Sequence, residues 1–192
     1  WLIEGILPMG LGILAGKSKI GKSWLVLALA IAVAAGRLAL GKANTFQCDV
    51  LYLAMEDNQR RLQKRMRSLL KGEAAPERLT FAMTWESGDN GALERLDEYL
   101  EHHKACRMVI IDTFVMVRRR AGNKNENAYE RDYMDMVAYR LLAQRHNVCI
   151  LLVHHTKKQD ASDVFDMISG TTGMQGAADT MMVLARPRGS LN

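Results

Sequence analysis

The sequence predicts an α/β fold, with a mostly parallel central sheet and helices on both faces. Three observations carry that expectation. Five short runs are nearly continuous in Val, Ile, Leu and Met rather than alternating, the pattern of strands buried on both sides. Stretches with helical spacing separate them. The first run leads through a turn rich in Gly and Lys into a long apolar stretch, a strand–turn–helix order.

The elements follow in sequence. Leu11 to Ala15 is the first expected strand, and Lys22 to Ala35 the helix after it. Val50 to Met55 is the second strand. Asn58 to Leu70 then places Leu62, Met66, Leu69 and Leu70 on one side and Arg and Lys on the other. Ala92 to His103 is a third helix, Met108 to Ile111 a third strand and Glu126 to Gln144 a fourth helix. Val148 to Val153 and Thr180 to Ala185 complete the strands. Right-handed crossovers are expected between parallel neighbours. Two polar segments, Arg118 to Asn127 and Lys157 to Gly176, each follow a strand's C-terminal end, the edge where open α/β sheets bind ligands.

At 192 residues the chain suits one domain, residues 1–192, with room for a real core. Apolar residues at 48% and charged residues at 24% exclude a disordered chain. Residue 1 is Trp and the last residues complete no element, so the chain reads as a domain cut at its C-terminus. Cys48, Cys106 and Cys149 are odd in number and lack metal-like spacing. They read as small buried hydrophobes in a reduced, cytoplasmic setting. Trp24 to Ala35 is too short to span a membrane, which needs ~20 residues. The net charge of +5 permits a nucleic-acid partner without requiring one.

Residues 16 to 23 read Gly-Lys-Ser-Lys-Ile-Gly-Lys-Ser, the full phosphate-loop pattern between a strand and a helix. Gly16 and Gly21 let the loop turn its amide N–H groups inward, toward a helix N-terminus that favours anions. Lys22 is expected to reach the β- and γ-phosphates of ATP, and the Ser23 hydroxyl to ligate Mg²⁺. The nucleotide-binding set is Gly16, Lys17, Ser18, Lys19, Ile20, Gly21, Lys22, Ser23 and the next residue, Trp24.

Asp112 ends the run Met108-Val-Ile-Ile, as a carboxylate that holds magnesium through its water shell should. Glu56 and Asp57 end the second strand. Either could polarise an attacking water, or both could cap the helix that follows, Asp57 especially. The fourth strand runs into His154-His155-Thr156-Lys157-Lys158. A histidine there can donate to a γ-phosphate and move when it leaves. His155 is the expected sensor and His154 a packing residue, since neighbours on a strand face opposite sides. Zinc would need further ligands, and none are suitably spaced.

Taken together, Gly16 to Ser23, Leu53-Ala-Met-Glu56-Asp57, Ile110-Ile-Asp112-Thr113 and His154-His155-Thr-Lys-Lys resemble the RecA-like ATPases of the RepA type. That group includes hexameric replicative helicases of plasmids and phages and is similar to DnaB and KaiC. The resemblance spans about Ile6 to Arg186. It implies that the strand ending at His155 lies between the two strands bearing Gly16 and Asp112. It implies Glu56 as catalytic carboxylate alongside Lys22 and His155. It implies a homo-oligomeric ring, a hexamer in the full-length protein, with ATP between subunits and single-stranded DNA in the channel. The channel loops would be the two polar segments, with Lys124, Lys157 and Lys158 as DNA phosphate contacts. The family's arginine finger would be Arg186, Arg188 or a residue beyond Asn192.

Three functions remain open at this point. One is a DNA-stimulated ATPase acting as a replicative helicase. Another is a RecA- or KaiC-like nucleotide switch in recombination, repair or regulation without unwinding. The third is a nucleotide-gated assembly module with no nucleic-acid partner.

Overall fold

The apolar runs divide their side chains between two faces, and helices cover each face. A computed structural model describes residues 1–119, 127–156, 168 and 172–186. The strands are β1 (Gly10–Gly16), β2 (Asp49–Ala54), β3 (Leu79–Ala82), β4 (Cys106–Asp112), β5 (Cys149–His155) and β6 (Thr180–Leu184). The helices are α1 (Lys22–Ala35), α2 (Gln59–Leu70), α3 (Ala92–His102), α4 (Ala128–His146) and α5 (Thr172–Ala177).

The six strands form one sheet in the order β3-β2-β4-β5-β1-β6, and every pairing is parallel. Val50, Tyr52, Met108, Ile110, Leu151 and Val153 share a core with α1 and α2. Their sequence neighbours Leu51, Leu53, Val109, Ile111, Ile150 and Leu152 share the other core with α3, α4 and α5. Each run is apolar throughout because both alternate sets are buried. β5 lies between β4 and β1, as the resemblance implies.

After β1 the chain goes to α1 on one face. After β4 and β5 it goes to α4 and α5 on the other. The connections therefore part at the C-terminal ends of β1 and β5, which opens a crevice there, as doubly wound sheets do.

The structure adds two elements that the sequence pattern does not announce. β3 is a four-residue edge strand, only half-buried, too short for a periodic signal. α5 overlaps the end of the polar segment 157–176 and runs one residue past it; Met174 and Ala177 are buried in it despite two glycines. The cap of α2 is also reassigned. Asn58, not Asp57, accepts from the Arg61 N–H at 2.9 Å. α4 starts two residues later than expected, where the Asn127 side chain accepts from the Tyr129 N–H at 3.0 Å.

All three cysteines are free and buried. Burial pushes the Cys48 thiol up to about 11 and Cys106 up to about 12, and raises Cys149 as well. They are inert packing groups. Among the described residues no helix is long and apolar enough to cross a membrane.

Candidate active site

The crevice at the ends of β1, β2, β4 and β5 contains a cleft of about 450 Å³. That size suits a small-molecule site. Ser18, Lys19, Gly21, Lys22, Ser23 and Trp24 line one side, and Glu56, Asp57, Asp112, Thr113 and His155, with Arg61 and Arg65, line the rest. Gly16, Lys17 and Ile20 belong to the same loop but do not form the cleft wall.

The loop's shape depends on its two glycines. A Cβ on Gly16 would sit 2.7 Å from the carbonyl oxygen of Leu184, so β6 approaches too closely for any side chain. Gly21 has φ 110°, in the left-handed region that other residues rarely adopt. As N-cap it brings no side chain to the first turn of α1, and no side-chain cap competes there for a bound anion.

Lys22 is buried, and its ammonium folds back onto the loop. Nζ donates to the carbonyls of Gly16 at 2.8 Å and Lys17 at 3.1 Å, and lies 3.4 Å from His155 Nδ1. Burial lowers its pKa; Asp112 and Glu56 act in the opposite direction. A lysine so placed presents a poorly solvated cation to an incoming phosphate.

Asp112 is buried at the end of β4. Oδ2 accepts from the Tyr52 hydroxyl at 2.8 Å, while Oδ1 has no partner at hydrogen-bonding geometry. Burial raises the pKa of Asp112 most strongly, and Glu56 adds to the rise. Ser23, Tyr52 and Arg65 pull it back down. A buried carboxylate oxygen that lacks a full hydrogen bond is costly. Beside Ser23 it matches the oxygen ligands that magnesium prefers, so the residues present fit that ion.

Glu56 sits just past β2 with its side chain 45% exposed. Its Oε1 accepts from the Thr113 hydroxyl at 2.9 Å and lies 3.6 Å from His155 Nε2. His155 therefore stands between Lys22 and Glu56. His154, on the other face of β5, is buried with its ring edge-on to Phe114. Of the two histidines, His155 is the one that lines the cleft.

Four residues in or just behind the cleft carry no expectation from the sequence: Tyr52, Thr113, Arg61 and Arg65. Asp57 pairs with Arg61 at 2.8 Å and with Arg65, and Arg65 stacks 5.8 Å over the Trp24 ring. Asp57 is thus ion-paired with two arginines at the mouth of the cleft. A signal exists in the spacing: residues 57, 61 and 65 share one helical stripe, and 52, 54 and 56 follow one strand face.

The loop positions fare differently. Arg118 pairs with Asp132 and Arg119 with Asp135 at 2.6 Å, so two arginines of the basic run are tied to α4. Arg186 is exposed just after β6, at the sheet edge that carries the phosphate loop. Lys124, Lys157, Lys158 and Arg188 lie outside the described residues.

Residues 1–161 match the AAA_25 family, described as an AAA domain. The chain belongs to this family. The AAA_25 chain is also similar to a solved structure of another protein's ATPase domain, with a TM-score of 0.68 and 12% identity, over 94% of this chain and 70% of that one. At that identity the likeness establishes the fold: a RecA-like P-loop NTPase sheet. No curated protein sequence matches the chain. This AAA_25 member is therefore an ATPase domain by family and RecA-like by fold.

Proposed function

We propose that this domain is an ATP-hydrolysing motor that uses Mg²⁺ and couples turnover to single-stranded DNA, as a replicative helicase does. It would work as a homo-oligomer, a hexameric ring. The observation that carries the reading is the convergence of Lys22, Ser23, Glu56, Asp112 and His155 on one cleft. The DNA step rests on the resemblance to the RepA-type ATPases and on the RecA-like fold.

In this reading the N–H groups of residues 17 to 23 and the start of α1 cradle the phosphates. Lys22 exchanges its carbonyl partners for phosphate oxygens. Ser23 and Asp112 would hold Mg²⁺, which when bound would offset the negative charge of the phosphates. Glu56, fixed by Thr113, orients the attacking water and accepts its proton. His155, within reach of both Lys22 and Glu56, senses whether the γ-phosphate is present. It passes that state to the chain beyond β5.

The test is ATP hydrolysis with and without single-stranded DNA, at low and moderate salt, with Lys22→Ala as blank. Stimulation that weakens with salt is expected, because phosphate contacts release counterions. Turnover indifferent to DNA would replace the helicase reading with a nucleotide switch.

A further inference from the structure

Behind the wall of the cleft lies one polar group with no part in the mechanism above, the hydroxyl of Tyr52. Its ring belongs to the core: Tyr52 is 2% exposed and packs 5.6 Å from Phe81. A phenylalanine would fill that space equally well. The hydroxyl therefore needs its own explanation.

The register supplies one. Tyr52 pairs with Ile110 and Ala54 with Asp112, so Tyr52 and Asp112 are diagonal neighbours on one face of the sheet. From that position the phenol reaches Asp112 Oδ2 at 2.8 Å. A carboxylate can rotate about its Cβ–Cγ bond, and only a held one keeps a chosen oxygen turned one way. Tyr52 holds Oδ2. The remaining oxygen, Oδ1, is buried and makes no hydrogen bond of full geometry; the Ser23 hydroxyl is the other donor that acts on this carboxylate.

We propose that Tyr52 is a positioning residue for the metal-holding carboxylate: by binding Oδ2 it commits Oδ1 of Asp112 to the cation beside Ser23. The inference rests on the nucleotide-site reading above. It assigns to a strand residue the role that outer partners of metal ligands commonly have, where loss costs roughly 10- to 100-fold in metal affinity. Tyr52 touches neither nucleotide nor metal.

The experiment titrates Mg²⁺ into the protein with a fluorescent ATP analogue and reads nucleotide binding, without relying on turnover. Wild type, Tyr52→Phe and Asp112→Asn are compared, each also in EDTA. Tyr52→Phe should need roughly tenfold more Mg²⁺ for half-maximal enhancement of binding, while its affinity in EDTA stays that of wild type. Equal EDTA affinity also shows that the variant is folded with its loop intact. An unchanged Mg²⁺ midpoint in Tyr52→Phe, with wild type responding to Mg²⁺, overturns the positioning role alone. Nucleotide binding indifferent to Mg²⁺ in wild type overturns both this role and the reading beneath it.

Discussion

Two clusters in this molecule set a histidine among carboxylates, at opposite ends of the strands. In the cleft, His155 stands between Lys22 and Glu56, with Asp112 close by. At the far end, His146 Nε2 meets Asp97 Oδ1 at 2.6 Å, and Glu101 lies 3.9 Å from its Nδ1. Their residue types are alike, but their charges are handled differently. In the outer cluster each carboxylate has its own cation: Arg145 on Asp97 and Lys104 on Glu101, both at 2.6 Å. It ties α3 to α4. In the cleft, burial works against the charged forms of both Lys22 and Asp112, and one carboxylate oxygen makes no hydrogen bond of full geometry. Electrostatics left incomplete inside a cleft mark a site that a ligand completes. The same groups fully paired mark a structural joint.

The largest expected effect breaks the cleft outright. Lys22→Ala should abolish nucleotide binding, measured by titration with a fluorescent ATP analogue. ATP affinity equal to wild type would remove the phosphate-loop assignment. Glu56→Gln comes next. It should keep nucleotide affinity and lower kcat by about 10²- to 10⁴-fold, the usual worth of a general base. Normal turnover would hand the role to another group, and Asp57, held by two arginines, would be a poor substitute. His155→Ala should spare ATP binding and lose the stimulation by DNA. Stimulation retained in that variant would remove His155 as the sensor.

These tests fall on residues the sequence already singled out, and the reason is physical. Phosphate loops and strand-end carboxylates are local patterns: spacing alone places Lys22, Ser23 and Asp112 at one sheet edge. The buried strands were legible for the same reason, since both faces of β1, β2, β4 and β5 are apolar. β3 was not, because an edge strand with Thr80 exposed has no continuous run. Tyr52 was hidden as one more apolar residue in a strand, its use depending on the β2–β4 register. Arg61 and Arg65 read as the solvent side of α2. Asp57 draws them into the cleft mouth, and the stripe they share gains its meaning only once the cleft is known.

The smallest expected effects are the sharpest test of the comparison, because their signs differ. Burial raises the pKa of Asp112 in the fold. A carboxyl raised above its unfolded value gives stability that is present below the unfolded pKa and is lost as pH rises through the folded one. At neutral pH its ionised form is therefore a cost. Asp112→Asn removes that cost and keeps an acceptor for Tyr52, so nucleotide-free protein should melt a few degrees higher at neutral pH. The gain should shrink toward about pH 4, near the ordinary carboxyl pKa. Asp97→Asn breaks a paired charge instead. It should lower stability by about 1 kcal/mol, or about 2–4 °C for a chain of this length, with nucleotide binding unchanged. Thermal melts of the two variants at two pH values decide the matter. If both variants lose stability alike, Asp112 is an ordinary paired carboxylate and the cleft is no less satisfied than the outer joint. Opposite signs would mean that the fold accepts a cost at Asp112 which it avoids at Asp97, as a site awaiting its ligand should.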